Sequence, residues 1–238
     1  MTGGEIFGTC RAIVFDLDDT LYAQVAFKRS GFRAVATRLA QEGIVDAPVA
    51  MASMERQLAA LGPSHPRILD AAMADLGLTG IRVDSLVSVF RDHRPAICPY
   101  PGVIDLLTDL QPGFQLGLLT DGLAAVQRGK VGALGLDGCF DAMLFSDELN
   151  TSKPDPVLFE WFERRFELVG GQLLYVGDNP AKDFTGARRR GWRTLRVMSG
   201  EHAGVIAPAT AKDAELSIDC VTDLRRLVLP PAHQAWGD

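Results

Sequence analysis

Short apolar segments alternate with helix-like segments along most of this chain, and this alternation constrains its fold more than any other feature. The expected strands are the apolar start of "AIVFDLDDTLY" at 12–22, "FQLGLLT" at 114–120, "AMLFS" at 142–146, "LLYVG" at 173–177, "TLRVM" at 194–198 and "LSIDCV" at 216–221. Strands that alternate with helices at this spacing form a parallel sheet with helices on both faces. We therefore predict an α/β fold with a doubly wound parallel sheet.

The region from residue 22 to residue 96 interrupts this alternation. "AFKRSGFRAVATRLAQEG" and "PRILDAAMADLG" have helical periodicity, and "LGPSHP" at 61–66 separates the helices. "RPAICPYPGV" at 94–103 then returns the chain to the sheet. We predict an α/β core domain of residues 1–21 and 97–238, with a helical domain of residues 22–96 inserted into it.

Composition and charge exclude some classes of binding partner. The chain has 24 basic and 30 acidic residues, a net charge of −6, which offers no basic footprint for nucleic acid or an anionic membrane. No apolar stretch approaches the roughly 20 residues that cross a bilayer, and the four cysteines have no metal-ligand spacing. We expect a cytoplasmic protein with no nucleic-acid or membrane partner; a monomer and a homodimer both remain open.

Polar residues and one glycine lie at the ends of four of the expected strands or shortly after them. They are Asp16 and Asp18 after the first strand, Thr120, Asp121 and Gly122 after the second, Lys153 after the third, and Asp178 and Asp183 after the fourth. Ligands bind beyond the carboxyl ends of strands in an open parallel sheet, so we expect these residues to converge. Clustered carboxylates repel one another unless a cation holds them, and oxygen ligands suit Mg²⁺. An aspartate beside Mg²⁺ can act as a nucleophile and form an aspartyl-phosphate.

Four sequence motifs at these strand ends resemble a known family. "FDLDDTLY", "LLTDG", "SKPDP" and "VGDNPAKD", in this order and spacing, are similar to the signature motifs of the haloacid dehalogenase-like (HAD) hydrolases. One motif alone carries little information, but four in order are specific, and they span residues 11 to about 198. The resemblance implies a Rossmann-like sheet, with the helical insert at the position of the family's cap domain.

The resemblance also implies roles for the acidic residues. Asp16 would attack the phosphoryl group, and Asp18 would protonate the leaving oxygen and later activate water. Mg²⁺ would be the cofactor, held by the carboxylates of Asp16 and Asp178, by the backbone carbonyl of Asp18, and by Asp183 directly or through water.

The remaining motif residues would bind the phosphoryl group. Thr120 would hydrogen-bond one of its oxygens, and Lys153 would pair with both the phosphate and Asp16. Gly122 would allow a close backbone approach. Asp121 stands where many family members have asparagine, and we expect it either to contact the substrate or to make a local hydrogen bond.

The function implied is a Mg²⁺-dependent phosphatase that acts on a small phosphorylated metabolite, such as a sugar phosphate or a nucleoside monophosphate. A phosphomutase would use the same Asp16 and Asp18. A 2-haloacid dehalogenase needs neither a metal nor an acid at position 18, and a phosphonate hydrolase would need a Schiff-base lysine in the insert, where Lys28 is the only lysine. A protein that binds a phosphorylated ligand without turnover is the alternative outside the enzymes.

Overall fold

A computed structural model describes residues 7–208 and 213–229. The chain divides into two compact units, one formed by Met1–Ala23 with Pro99–Asp238 and the other by Gln24–Cys98. The extreme ends of the predicted core domain, residues 1–6 and 230–238, lie outside the described residues. The assignment of the two units as a core and a cap remains a prediction.

The first unit is built on a single six-stranded sheet whose strand pairs are all parallel. The strands are β1 (Ala12–Phe15), β2 (Gln115–Thr120), β3 (Ala142–Phe145), β4 (Leu173–Gly177), β5 (Arg193–Val197) and β6 (Leu216–Ile218). Their order is β3-β2-β1-β4-β5-β6, which confirms the predicted doubly wound, Rossmann-like sheet. The last strand is shorter than predicted, because a 3₁₀ turn begins at Val221. The strand order reverses between β1 and β4, so the crevice for a ligand is expected there.

The described residues contain nine α-helices. They are α1 (Gln24–Gln41), α2 (Ala47–Leu61), α3 (Ile68–Asp75), α4 (Val83–Asp92), α5 (Val103–Leu110), α6 (Ala124–Ala133), α7 (Pro156–Phe166), α8 (Asp183–Arg189) and α9 (Leu224–Val228). None of them is both long and apolar enough to cross a membrane. Helices α1 to α4 form the second unit, and α5 to α9 belong to the first.

Helix α7 shows how the sequence specifies one of these elements. The side chain of Asp155 accepts a hydrogen bond from the Val157 N–H at 3.0 Å, and Pro156 occupies the first helical position, as predicted. Phe159 and Phe162 lie on one face of the helix and are fully buried against the sheet. This packing fixes the helix that directly follows the segment carrying Lys153.

The helical unit has its own apolar core. Phe32 and Leu39 of α1 and Met54 of α2 are buried there, together with Met73 and Leu86. The sequence predicted a helical region but did not resolve α2 and α4 as separate helices.

Gly186 in α8 provides a test of how closely this helix must pack. A Cβ at this position would lie 2.4 Å from the Phe159 ring and 2.4 Å from the backbone carbonyl oxygen of Pro154. We expect Gly186→Ala to lower the free energy of unfolding by about 1–3 kcal/mol, since the helix would have to move. Gly129→Ala in α6 is the matched control: its Cβ would meet nothing within 4 Å, so we expect it to stabilise the helix by up to about 1 kcal/mol. Urea unfolding measures both, and an unchanged Gly186→Ala protein would contradict the packing.

Candidate active site

The switch point of the sheet places two carboxylates side by side. Asp16 follows β1, and its N–H donates a hydrogen bond to the carbonyl of Val176 at 2.8 Å, which continues the pairing of β1 with β4. Asp178 follows the last residue of β4. Both residues are buried, although each carries an ionisable group. The sequence prediction that the two strand ends converge is therefore confirmed at the level of the backbone.

A third carboxylate reaches the same place from the first turn of α8. The Asn179 N–H donates to Asp183 Oδ2 at 2.8 Å, and the Asp183 N–H donates to the Asn179 carbonyl at 3.0 Å. Gly177 makes room for this side chain, because a Cβ there would lie 2.5 Å from Asp183 Oδ2. The turn between β4 and α8 thus holds Asp183 against the end of the strand.

The three carboxylates form an all-oxygen cluster suited to a hard cation. Single oxygens of Asp16, Asp178 and Asp183 lie within 4.8 Å of one another, and all three residues are buried. Burial, followed by repulsion from Asp183, raises the pKa of Asp16 to about 7 even though Lys153 opposes it. Burial and repulsion from Asp16 and Asp183 raise the pKa of Asp178 to about 9. The protein alone does not neutralise this cluster, so the residues fit Mg²⁺.

Lys153 supplies a positive charge that contacts the acidic cluster directly. Its Nζ lies 2.6 Å from Asp16 Oδ1, 2.7 Å from Asp183 Oδ1 and 3.0 Å from the hydroxyl of Tyr175. The Tyr175 hydroxyl in turn donates to the carbonyl of Leu119 at 3.3 Å. Burial alone would lower the pKa of Lys153, but the two carboxylates outweigh it and hold this pKa well above its usual value. The ammonium is therefore fixed in its charged form beside Asp16.

The end of β2 contributes the predicted phosphate-binding residues. Asp121 Oδ1 accepts the backbone N–H of Lys153 at 3.1 Å, and its Oδ2 pairs with Lys182 Nζ at 3.2 Å. Asp121 thus holds the backbone of Lys153 in place, which is the local hydrogen bond considered as one of its two predicted roles. Thr120 is buried at the end of the strand. Gly122 has a φ of +120°, a backbone conformation that favours glycine.

Asp18 lies in a turn that follows β1, and its carboxylate has partners of its own. Lys130 Nζ lies 2.7 and 2.8 Å from its two carboxylate oxygens, the Tyr22 hydroxyl donates to Oδ1, and Gln127 Nε2 donates to Oδ2 at 3.1 Å. Burial alone would raise the pKa of Asp18, but Lys130 and these hydrogen bonds hold it below its usual value. Its carboxylate is not part of the three-acid cluster, and the role of its backbone carbonyl as a metal ligand remains a prediction.

Sequence reasoning did not single out Lys130, Gln127 or Tyr175. Gln127 and Lys130 are three residues apart on α6, so they lie on one face of the helix, directly after the motif that ends β2. This spacing was a usable signal. Tyr175 was hidden in an apolar strand, where the need of a buried hydroxyl for a partner was the available clue.

Comparisons with known proteins bear on the family of this chain. A sequence model of the family described as haloacid dehalogenase-like hydrolase matches residues 13–197. The glyceraldehyde 3-phosphate phosphatase of Methanopyrus kandleri is 32% identical over 200 residues, which cover 81% of this chain and 85% of that protein. The phosphoserine phosphatase of Thermus thermophilus is 34% identical over 181 residues, which cover 75% of this chain and 70% of that protein.

A solved structure shares the fold. The HAD-hydrolase YfnB from Bacillus subtilis, solved bound to magnesium, matches with a TM-score of 0.69 at 18% identity, covering 93% of this chain and 99% of that one. At this identity the match bears on the fold alone. Since the family match covers most of the chain and includes all four motifs, the chain belongs to the haloacid dehalogenase-like hydrolases.

Proposed function

We propose that this protein is a Mg²⁺-dependent phosphatase that hydrolyses a small phosphorylated metabolite through an aspartyl-phosphate on Asp16. The observation that carries the proposal is the buried cluster of Asp16, Asp178 and Asp183 with Lys153 in contact with Asp16. A nucleophile, a cation site and an anion-binding ammonium at one strand end suit phosphoryl transfer, in which charge on the transferring group is the main obstacle.

The carboxylates of Asp16, Asp178 and Asp183, with the backbone carbonyl of Asp18, would hold the metal ion. When bound, Mg²⁺ would neutralise charge on the phosphoryl oxygens and on the three acids. Lys153 would add a second positive charge on the side of Asp16, and Thr120 would donate its hydroxyl proton to a phosphoryl oxygen. These groups would orient the phosphorus in line with the Asp16 carboxylate.

The reaction then takes two steps. A carboxylate oxygen of Asp16 attacks phosphorus, and the bond from phosphorus to the leaving oxygen breaks as that oxygen takes a proton from Asp18. Because Lys130 favours the ionised form of Asp18 in the free protein, Asp18 would first take up this proton from the substrate monoanion or from water as the substrate binds. Next, water attacks the same phosphorus while Asp18 accepts its proton. The bond to Asp16 breaks, inorganic phosphate is released and the Asp16 carboxylate is regenerated. Acid–base help of this kind typically contributes about 10²–10⁴-fold in rate.

The names of the relatives bear on the class of substrate. Glyceraldehyde 3-phosphate and phosphoserine are both phosphomonoesters of three-carbon compounds. We therefore place three-carbon phosphomonoesters beside the sugar phosphates and nucleoside monophosphates that the sequence suggested. The helical unit Gln24–Cys98 is the proposed cap domain.

Two alternatives share part of this site. A phosphomutase would use the same Asp16 and Asp18 but return the phosphoryl group to the substrate, so it would release little phosphate. A 2-haloacid dehalogenase would attack carbon with Asp16 and needs no metal, whereas the three buried carboxylates here could hold a metal ion.

Phosphate release from a panel of compounds tests the proposal. The panel contains glyceraldehyde 3-phosphate, phosphoserine, sugar phosphates, nucleoside monophosphates and aryl phosphates, each with Mg²⁺ and with a chelator. We expect release that depends on Mg²⁺. A folded protein that releases phosphate from no compound would contradict the phosphatase and favour a mutase or a binding protein.

The raised pKa values of Asp16 and Asp178 predict how the metal affects stability. Their pKa values rise from the usual 3.8 to about 7 and about 9, so between these limits the folded state binds more protons than the unfolded chain. Without metal, the contribution of these two groups to stability is therefore largest at low pH and falls as the pH rises towards 9. We expect saturating Mg²⁺ to raise Tm by about 5–10 °C at pH 8.5 and by much less at pH 5.5.

Thermal unfolding at both pH values, with Mg²⁺ and with a chelator, measures this effect. Asp178→Asn is the control, because it removes one ligand and one of the two shifted carboxyl groups. In this variant the rise in Tm on adding Mg²⁺ should be smaller, and stability should fall less as the pH rises. An equal rise in Tm on adding Mg²⁺ at both pH values would argue against Mg²⁺ binding at these carboxylates.

A further inference from the structure

We propose that Lys130 is a positioning residue for Asp18, and that Gln127 and Tyr22 complete this support. The inference rests on the proposed function, in which Asp18 is the acid and base. Lys130 lies on α6 and reaches Asp18 across 112 positions of sequence. None of the four signature motifs contains it.

The first argument is the geometry around the Asp18 carboxylate. Lys130 Nζ contacts both oxygens at 2.7 and 2.8 Å, so it fixes the plane of the carboxylate as well as its position. The Tyr22 hydroxyl and the Gln127 amide add one donor to each oxygen. Asp18 is therefore held from both sides, and its rotation about the side-chain bonds would break at least one of these contacts.

The second argument is burial. The side chain of Lys130 is only 6% exposed and that of Asp18 is 17% exposed. Exposed ion pairs contribute little, but an ammonium group taken out of water must be compensated by a well-placed anion. A lysine that serves only to cover the surface would extend into solvent. Here the charged end of Lys130 is directed inward, to the group proposed to move the proton.

The third argument is that Gln127 links Asp18 to the phosphate-binding end of β2. Its Nε2 donates to Asp18 Oδ2 at 3.1 Å and to Thr120 Oγ1 at 2.6 Å. Gln127 is 2% exposed. One face of α6 thus sets the position of Asp18 relative to the hydroxyl proposed to bind the phosphoryl group. Proton transfer requires donor and acceptor within hydrogen-bond reach, so this spacing affects the rate.

A double-mutant cycle tests whether Lys130 acts through Asp18. The kcat/KM of the wild type, Lys130→Met, Asp18→Asn and the double variant is measured with Mg²⁺ on phenyl phosphate and on p-nitrophenyl phosphate. The kcat/KM reports the steps up to departure of the leaving group. Phenolate is more basic than p-nitrophenolate, so its departure depends more on proton donation by Asp18. Arg128→Met, an exposed neighbour on α6, is the matched control.

We expect Lys130→Met to lower kcat/KM by about 10²-fold on phenyl phosphate and by less than about tenfold on p-nitrophenyl phosphate. In the Asp18→Asn background, Lys130→Met should change kcat/KM by less than about threefold, because effects of residues that act as a unit are not additive. Lys130→Arg, which keeps the charge, should recover part of the loss. Arg128→Met should match the wild type.

Further variants and outcomes distinguish a positioning role of Lys130 from a purely structural one. If Lys130→Met does not fold, Gln127→Met removes a support of Asp18 without leaving a buried charge, and it should show the same dependence on the leaving group. Equal losses on both esters, with full additivity in the Asp18→Asn background, would overturn the inference and mark Lys130 as structural. A wild type inert on both esters would also overturn it, whereas the proposed function fails only if the whole panel is inert.

Discussion

Asp16→Asn is expected to abolish phosphate release, with a loss of about 10⁴-fold or more in kcat. The amide has nearly the same shape as the carboxylate but lacks the charge and nucleophilicity that attack on phosphorus requires. The fold should persist, because the change removes one of three buried carboxylates that repel one another. Asp16 repulsion contributes to the raised pKa of Asp178, so this pKa should move back towards its usual value in the variant.

Phosphate release and trapping of a phosphoryl group on the chain measure this prediction together. Wild-type protein quenched in acid during turnover should carry a phosphoryl group on Asp16, detected by mass spectrometry, and Asp16→Asn should carry none. Asp105→Asn is the matched control, since it makes the same chemical change at an exposed site on α5. A phosphoryl group found on another residue, or an active Asp16→Asn protein, would refute the role of Asp16.

The parts of the molecule that could be predicted from sequence are those with local signals. The strand β4 was predicted with its observed bounds, because five apolar or glycine residues stand between turn-forming residues. Asp155 and Pro156 predicted where helix α7 begins. Convergence of Asp16 and Asp178 followed from the rule that ligands bind at the carboxyl ends of parallel strands, which needs no knowledge of side-chain packing.

The parts that were missed depend on which face of an element turns inward. Gln127 and Lys130 are polar residues on a helix, and such residues are mostly exposed in proteins. Their burial becomes visible only when α6 is packed beside the turn that carries Asp18. Helix α4 was not resolved for a different reason: its valines have low helix propensity, and the apolar core around Leu86 favours the helix.

Lys153→Met is expected to have the second large effect, on stability as well as activity. Methionine replaces the four-carbon stem of lysine but leaves Asp16 and Asp183 without the ammonium that lies 2.6 and 2.7 Å from them. Removing one partner of a buried ion pair costs about 3–5 kcal/mol. In metal-free protein at pH 8 we therefore expect the free energy of unfolding to fall by about this amount, and turnover to be lost with Mg²⁺ present.

The pH dependence distinguishes loss of charge from loss of packing. Without Lys153 the pKa of Asp16 should rise above its value of about 7, because the lysine opposes the effect of burial. The carboxyl groups can then take up protons at pH 5.5, so the variant should be destabilised less there than at pH 8. Lys182→Met is the matched control: this lysine is 39% exposed and pairs with Asp121 at 3.2 Å, so its removal should cost less than about 1 kcal/mol. Urea unfolding at both pH values measures all three proteins, and a loss independent of pH would mean that Lys153 stabilises the site by packing rather than by its charge.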